Sequence, residues 1–465
     1  VTDMKGLLMD ALELLESEAR SLGVALHSVE LTVDGETVLS AGSAPLGVQS
    51  PHRMYSIAKT VTGFAVGLLA AEGGLSLDDP VTGHFPEMGP CHPWLEQTTL
   101  RHMLAMLGPH ASTTYKGSDD AWLESYFRVP PAYPPGTAFA YDTSGAYVLA
   151  ALVERTAGTS LVDYLRPRLL DPLGISDDFR VRPGPEPISH GGSGLVCRPH
   201  DLLCLAHLLL DGGVHDGEAL LPAGFLREAT TVHADTALQT WGTPFRGGYG
   251  YQVWLPERGG YLMYGLGGQI VYCEPEHRLA LVVTADAQAC QSGDQRLAGL
   301  VFRHLVDPLV GAPPRPVIGA PAERRLEWPS PRHRAGNAID LHDRYTPCSA
   351  GAWPTDLRLD VGADGGTLGS PSDGWRLDLD PGAARPQRFG QDGRPVVVTA
   401  GWAAPRTLDV VCWFVDDELA VIRQRLHAGP EGTLTVRSQG FGERFDQRWN
   451  FAGAFSPSPS PAARP

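Results

Sequence analysis

Ser56-Ile57-Ala58-Lys59 is the stretch in which residue types and spacing together could do chemistry. It opens an apolar run, Ile57, Val61, Ala65, Leu68 and Leu69, spaced as the buried stripe of a helix over Ser56–Ala71. Positions i and i+3 share a helix face, so the hydroxyl and the ammonium become neighbours. A serine hydroxyl attacks a carbonyl only when something takes its proton. A lysine in apolar surroundings can do so, or tune the group that does, because burial disfavours its charged form. The N-terminal end of a helix also favours the negative charge that develops there. A surface Ser and Lys on an ordinary helix would read the same way. The chain has only three lysines, Lys5, Lys59 and Lys116, which weighs against that reading.

Two further segments could complete such a centre. Phe139-Ala140-Tyr141-Asp142-Thr143-Ser144-Gly145 follows Pro134-Pro135-Gly136 and leads into a helix over Ala146–Ala157. Tyr141 on that loop could stand beside the Ser–Lys pair as a proton shuttle, although a tyrosine before a helix is more often a packing residue. Gly265-Leu266-Gly267-Gly268-Gln269 precedes the apolar run Ile270–Cys273. Glycines at a strand margin allow close backbone approach to a ligand. An N–H from Gly267, Gly268 or Gln269 could then form an oxyanion hole with that of Ser56. Gly-rich turns are usually only turns, so this element is weak alone.

The elements that must position these residues alternate between strands and amphipathic helices from Leu7 to about Leu309. His27–Leu39 reads as two strands around the turn Asp34-Gly35. Helices follow around Leu100–Leu107, Ala146–Ala157, Leu161–Leu170 and Asp201–Leu210. Strands return at Tyr249–Trp254 and Arg278–Thr284, and Gln295–Val306 closes as a helix. Residues 1–310 therefore read as an α/β domain, a sheet flanked by helices with a helical region. Residues 311–336 carry Pro313, Pro314, Pro316, Pro321, Pro329 and Pro331 and read as a semi-rigid linker. Residues 337–453 give short strands between Gly, Pro and Asp turns, the last at Arg444–Phe451, as in an antiparallel barrel or sandwich with Trp375, Trp402, Trp413 and Trp449 in its core. Residues 454–465 read as a disordered tail.

The 465 residues exceed one ordinary core, and 43% hydrophobic with 19% charged residues suits a globular protein. A net charge of -16 argues against nucleic-acid or anionic-membrane partners. Seven scattered cysteines without a C-x-x-C pair suit reduced thiols rather than disulfides or a zinc knuckle. No H-x-H-x-D or H-E-x-x-H spacing occurs, so neither metal nor other cofactor is expected. The acidic, amphipathic opening lacks the features of a secretory signal, and no apolar run approaches the roughly 18–20 residues of a membrane span. A cytoplasmic protein is the expectation. The G-x-S-x-G elbow of α/β-hydrolases is also missing.

The order of these segments resembles the class C β-lactamase/D-alanyl-D-alanine carboxypeptidase family, with its esterase and nylon-oligomer-hydrolase relatives, over about residues 10–310. MYSIAKTVTGFAVGLLAAEGGLSLDDPVTGHFPE is similar to the family's Ser-x-x-Lys helix and the turn after it. TTLRHMLAM, PPGTAFAYDTSGAYVLAALVERTAG, LRPRLLDPLGI and GGSGLVCRPHDLLCLAHLLLDGG continue in register. The resemblance implies an α/β sheet beside a helical region, a site in the cleft between them, and an acyl-serine intermediate. It makes Ser56 the nucleophile, Lys59 its partner base and Tyr141 the tyrosine of Tyr-x-Asn. Thr143 stands where the family has Asn, and Gly265 where it has a basic residue that would hold a substrate carboxylate. Both departures point to the esterase and amidase side of the family.

Three functions follow. The first is hydrolysis of a small-molecule ester or amide, with Tyr141 aided by Lys59 carrying the proton. The second is acyl transfer or cyclisation in small-molecule biosynthesis, with an alcohol or amine replacing water. The third is a non-catalytic binding protein, against which the retained Ser–Lys–Tyr set argues. For the C-terminal domain the readings are a lid or wall of the cleft, a homodimer contact, or a stabilising appendage.

Overall fold

The computed structural model describes residues 4–117, 120–311, 321–443 and 445–458. The chain divides into two compact units. The first runs to Leu326, without residues 19–25 and 286–291; those two segments cluster with the second unit, which otherwise begins at Glu327.

The first unit is built on a six-stranded sheet. Its strands lie in the order Ala322–Arg325, Glu36–Gly42, Ala25–Val33, Leu279–Asp286, Gln269–Glu274 and Tyr261–Gly265. Asp34 and Gly35 both have positive φ, 51° and 81°, the backbone that a two-residue hairpin turn requires. This turn pairs Val33 with Glu36. The central strands Gln269–Glu274 and Leu279–Asp286 are buried throughout, so they read as unbroken apolar runs rather than alternating ones. Against the sheet lies a helical region whose core includes Ile57 and, from the helix Ala58–Ala71 that follows it, Val61, Ala65 and Leu69. That helix is buried from Ala58 to Leu69 on all sides, not along one stripe.

The structure corrects two expectations in this unit and its boundary. Tyr249–Trp254 is not a strand. Gln252 takes a positive φ of 58°, and its side-chain amide donates to the carbonyls of Met103 and Leu104. The segment thus forms an irregular crossing, tied by isolated backbone bridges at Tyr249 and Trp254 and by the Gln252 side chain rather than by a continuous ladder. The strands here are Tyr261–Gly265 and Gln269–Glu274. The stretch expected as a linker contains the strand Ala322–Arg325, which pairs in parallel with Glu36–Gly42. Its Arg324 reaches the buried Glu16 at 2.8 Å, and the prolines flank this strand without interrupting it. Residues 312–320 of that stretch lie outside the described residues.

The second unit is a single ten-stranded near-barrel. The strands follow in the order Trp375–Leu379, Gly365–Ser370, Leu357–Gly362, Leu341–Pro347, Phe451–Pro457, Leu434–Gly442, Ala420–Ala428, Thr407–Phe414, Arg394–Ala404 and Ala384–Phe389. Strict alternation fills its interior: Leu357, Leu359 and Val361 point inward while Arg358 and Asp360 face out. Trp375, Trp402 and Trp449 join this core. Trp413 is buried too, but on the other face of its strand, 6.0 Å from the ring of Trp328. The last strand is Phe451–Pro457 rather than Arg444–Phe451, because Asp446 caps a short turn over Gln447–Trp449. Residues 454–457, expected in the tail, belong to that strand, which the buried Phe455 anchors; residues 459–465 lie outside the described residues.

The first and last strands of this order meet through a side chain. The Asp378 N–H donates to Gln387 Oε1 at 2.9 Å, and Gln387 Nε2 donates to the Asp378 carbonyl at 2.9 Å. One amide replaces a rung of backbone ladder and protects two exposed strand edges. Among the described residues no helix is long and apolar enough to cross a membrane. Replacing Gln387 with Ala is expected to lower stability by about 1–3 kcal/mol. Hydrogen exchange should accelerate first at the Asp378 amide, and unchanged protection there would show that the seam does not depend on this side chain.

Candidate active site

Ser56 sits in the turn between the strand His52–Tyr55 and the helix Ala58–Ala71. The chain reverses sharply at Tyr55, which has φ +47° despite its bulky side chain. Such a residue costs roughly 1–3 kcal/mol and persists only when its surroundings over-determine it. Here they do. Tyr55 is buried, the Arg53 guanidinium lies 4.7 Å over its ring, and Arg53 Nε donates to the Ser193 carbonyl at 2.8 Å. The strand pairing with Leu195–Cys197 is irregular at this step. Met54 and Ile57 on either side are buried in the core, while Ser56 is only half-buried.

Lys59 lies one turn into the helix and is 1% exposed. Its Nζ donates to Ser56 Oγ at 3.0 Å and to the Gly192 carbonyl at 2.6 Å, and it stands 4.7 Å over the Tyr141 ring. The Gly192 carbonyl reaches it because two glycines thread a narrow gap. A Cβ on Gly191 would stand 2.4 Å from Thr62 Oγ1 and 2.6 Å from the Ala150 methyl; one on Gly192 would stand 2.6 Å from Thr143 Cγ2. Only a chain without side chains passes between the helices Ala58–Ala71 and Thr143–Ala157 there.

Tyr141 precedes the helix Thr143–Ala157 and shares a hydrogen bond with the Ser56 hydroxyl. Burial pushes the phenol well above its ordinary value, with the Ser56 bond opposing, so it is held as the neutral hydroxyl. Part of the ring remains exposed. Next to it, Asp142 is the N-cap, accepting from the N–H groups of Ser144 at 2.8 Å and Gly145 at 3.1 Å. Burial raises its carboxyl to about 6 against those bonds and the nearby Lys59 charge.

The structure thus brings Ser56, Lys59 and Tyr141 together. It treats the other sequence candidates differently. Thr143 belongs to the group: its methyl faces Gly192, its N–H donates to Thr113 Oγ1 at 3.1 Å, and its hydroxyl makes no hydrogen bond among the described residues. The Gly-rich hairpin is close, since a Cβ on Gly265 would stand 2.1 Å from the Met54 carbonyl. That contact leaves no room for any side chain at Gly265, basic or otherwise. Of the backbone N–H groups expected to face an oxyanion, those of Gly267 and Gly268 have partners inside the protein. The Gly267 N–H bonds the Asp294 carboxylate, and the Gly268 N–H donates to the Gly265 carbonyl at 3.2 Å. Gln269 is fully buried, its amide donating to the carbonyls of Leu266 and Ala285 and accepting from the Ala285 N–H. It fastens the hairpin to the sheet.

Sequence reasoning missed two parts of the site. One is Gly192, whose carbonyl holds the ammonium; the paired glycines of GGSG were its signal. The other is the aromatic surround of Tyr141, with Trp254 stacked at 5.4 Å and Trp241 edge-on at 5.0 Å. Nothing in the local pattern of those distant segments announces it. A group of possible metal ligands, Glu274, Glu276 and His277, lies apart from this centre, and its buried Glu274 accepts the N–H groups of the other two.

The model of the family described as Beta-lactamase matches residues 12–303. The chain is 26% identical over 277 residues to the 6-aminohexanoate-dimer hydrolase of Paenarthrobacter ureafaciens, covering 53% of this chain and 69% of that protein. It is 28% identical over 312 residues to penicillin-binding protein 4 of Amycolatopsis lactamdurans, covering 58% and 80%. Among solved structures, the octameric penicillin-binding protein homologue from Pyrococcus abyssi aligns over 96% of this chain and 99% of its own, with a TM-score of 0.51 and 16% identity, a likeness of fold.

Asp142 gives this centre a pH signature. Its folded value near 6 exceeds the ordinary 3.8, so between these the folded state binds more protons than the unfolded chain. Stability therefore falls as pH rises from about 4 to about 6 and levels above that. The loss is on the order of 3 kcal/mol at most. Asp142→Asn, which can still cap the helix, should flatten this decline in denaturant melts; an identical pH profile in the variant would assign the decline elsewhere.

Proposed function

Because this chain belongs to the beta-lactamase family, we propose that it is a serine hydrolase that opens an ester or amide of a small molecule through an acyl-serine intermediate. The observation that carries the reading is one hydroxyl with two proton-bearing partners. Ser56 Oγ accepts from the Lys59 ammonium at 3.0 Å and shares a second hydrogen bond with Tyr141.

In the first half-reaction Ser56 Oγ bonds the substrate carbonyl carbon and the bond to the leaving alcohol or amine breaks. The hydroxyl proton departs through the Lys59–Tyr141 pair and is returned to the leaving group. Burial keeps Tyr141 in its phenol form. It accepts that proton only by passing its own onward, so Tyr141 relays and Lys59 sets the electrostatics of the exchange. Ser56 stands at the N-terminal end of its helix, where the dipole favours negative charge near Oγ and the carbonyl oxygen. Water then attacks the acyl carbon by the same route reversed. Thr143, whose methyl faces Gly192 and whose hydroxyl has no hydrogen bond among the described residues, can offer that hydroxyl to a polar group of the substrate.

The similarity to a 6-aminohexanoate-dimer hydrolase supports hydrolytic rather than purely binding use of this set. A fluorophosphonate probe should label the wild type and leave Ser56→Ala unlabelled; equal labelling of both would refute the assignment of the nucleophile. Tyr141→Phe keeps the ring against Trp254 and Trp241 while removing the hydroxyl. It should lower kcat by about 10²–10⁴-fold with ester substrates. A change below threefold would remove Tyr141 from the proton path.

A further inference from the structure

We propose that the Ser56 centre takes esters or amides whose acyl group is an uncharged aromatic or alkyl chain, and that Trp241 sets this preference. The proposal rests on Ser56 being the nucleophile, as argued above. It starts from the rings gathered at Tyr141, which come from three separate segments. Trp254 stacks on Tyr141 at 5.4 Å with 22° between planes, and Trp241 meets it edge-on at 5.0 Å. Trp254 in turn contacts Trp241, Phe245 and Phe139 at 5.7, 5.1 and 5.6 Å.

These rings divide by exposure. Trp254, Tyr249 and Phe245 are buried and form a foundation, while Tyr141, Phe139 and Trp241 are only half-buried. The partly open rings include the one whose hydroxyl bonds Ser56. An apolar surface therefore begins at the reacting group and continues onto Trp241. Two exposed aliphatic side chains sit on adjoining segments. Leu266 follows Gly265, whose backbone abuts Met54, and is 37% exposed; Leu238, three residues before Trp241, is 97% exposed, the highest value for a large apolar residue among the described residues.

Trp241 and Leu238 ride on a loop built to hold them. Its base is pinned where the Ala234 and Tyr249 backbones exchange hydrogen bonds of 3.1 and 3.0 Å. Inside it, Gln239 N–H donates to the Thr236 carbonyl at 2.8 Å, and Phe245 packs beneath against Trp254 and Tyr264. The charged groups are turned to protein atoms. Arg246 Nε donates to the Gln239 carbonyl, Asp235 Oδ1 accepts the Ala237 N–H, Asp142 caps its helix, and Lys59 holds Ser56 and Gly192. A charged acyl group entering here would lose water and meet aromatic faces, whereas an uncharged apolar one would gain by the same desolvation. In acylation Ser56 Oγ bonds that acyl carbon, the leaving alcohol or amine departs with the Ser56 proton, and water later restores both hydroxyl and acid.

The test uses p-nitrophenyl acetate, hexanoate, phenylacetate and hemisuccinate with the full chain. Wild-type kcat/KM should be about tenfold or more higher for the hexanoate and phenylacetate than for the acetate, and lowest for the hemisuccinate. Trp241→Ala should lower the phenylacetate and hexanoate values about tenfold more than the acetate value, with Trp241→Phe restoring most of the difference. A preference for the hemisuccinate, or an equal loss on all four esters, would overturn the proposal. Binding of phenylacetamide to Ser56→Ala, followed by tryptophan fluorescence, separates this from the chemistry. Saturable quenching that disappears in the Ser56→Ala, Trp241→Ala double variant supports the apolar site even if no ester is turned over, an outcome that would fault only the nucleophile. No quenching in Ser56→Ala would remove the site itself.

Discussion

A lysine ammonium that is 1% exposed must find partners inside the protein, because leaving water without them costs several kcal/mol. Lys59 finds them on three elements: the Ser56 hydroxyl on its own turn, the Gly192 carbonyl from the loop before the strand Leu195–Cys197, and the face of Tyr141 before the helix Thr143–Ala157. Much of the local architecture follows from that demand. Gly191 and Gly192 must lack side chains for the carbonyl to arrive, and the helix Thr143–Ala157 must start where Asp142 can cap it while Tyr141 reaches Ser56. The same contact that satisfies the charge places it against the hydroxyl. Structural need and chemical use coincide in one ammonium group.

The backbone near the serine is held under strain that its neighbours offset. Tyr55 keeps a left-handed conformation because Arg53 covers its ring and is itself fixed to the Ser193 carbonyl. Arg53 and Lys59 therefore draw on adjacent carbonyls, Ser193 and Gly192, of one glycine-rich loop. Across from it, the hairpin at Gly265 approaches so closely that a methyl group would overlap the Met54 carbonyl. Its glycines serve approach and turning, and Gln269 and Asp294 lock them in place. Polar groups that looked chemical in the sequence are used for construction, as expected where a buried backbone must satisfy every donor.

The second unit obeys a different constraint. Ten antiparallel strands leave two edges, and the Gln387 amide joins them by mimicking one backbone rung. Its interior is filled by alternate residues, with three tryptophans among them, so this unit has a core of its own.

By itself the sequence determined the elements whose signal is local. The Asp34-Gly35 hairpin, the Ser56–Lys59 spacing, the turn before Thr143 and the alternating strands of the second unit are all written in neighbouring residues, and so were legible there. Tyr249–Trp254 reads as a strand because its apolar alternation resembles one, while the positive φ of Gln252 and its bonds to Met103 and Leu104 depend on a distant helix. Ala322–Arg325 is hidden among prolines because a short edge strand is recognised by its partner rather than by its composition. Only tertiary structure decided which glycines do what: Gly192 delivers a carbonyl to Lys59, while the N–H groups of Gly267 and Gly268 go to Asp294 and Gly265. It also gathered Phe139, Trp241 and Trp254 around Tyr141 from segments that share no local pattern. The nucleophile could be read from four letters because a helix repeats along the chain. Its surroundings could not, because close approach and enclosure are properties of segments far apart in sequence.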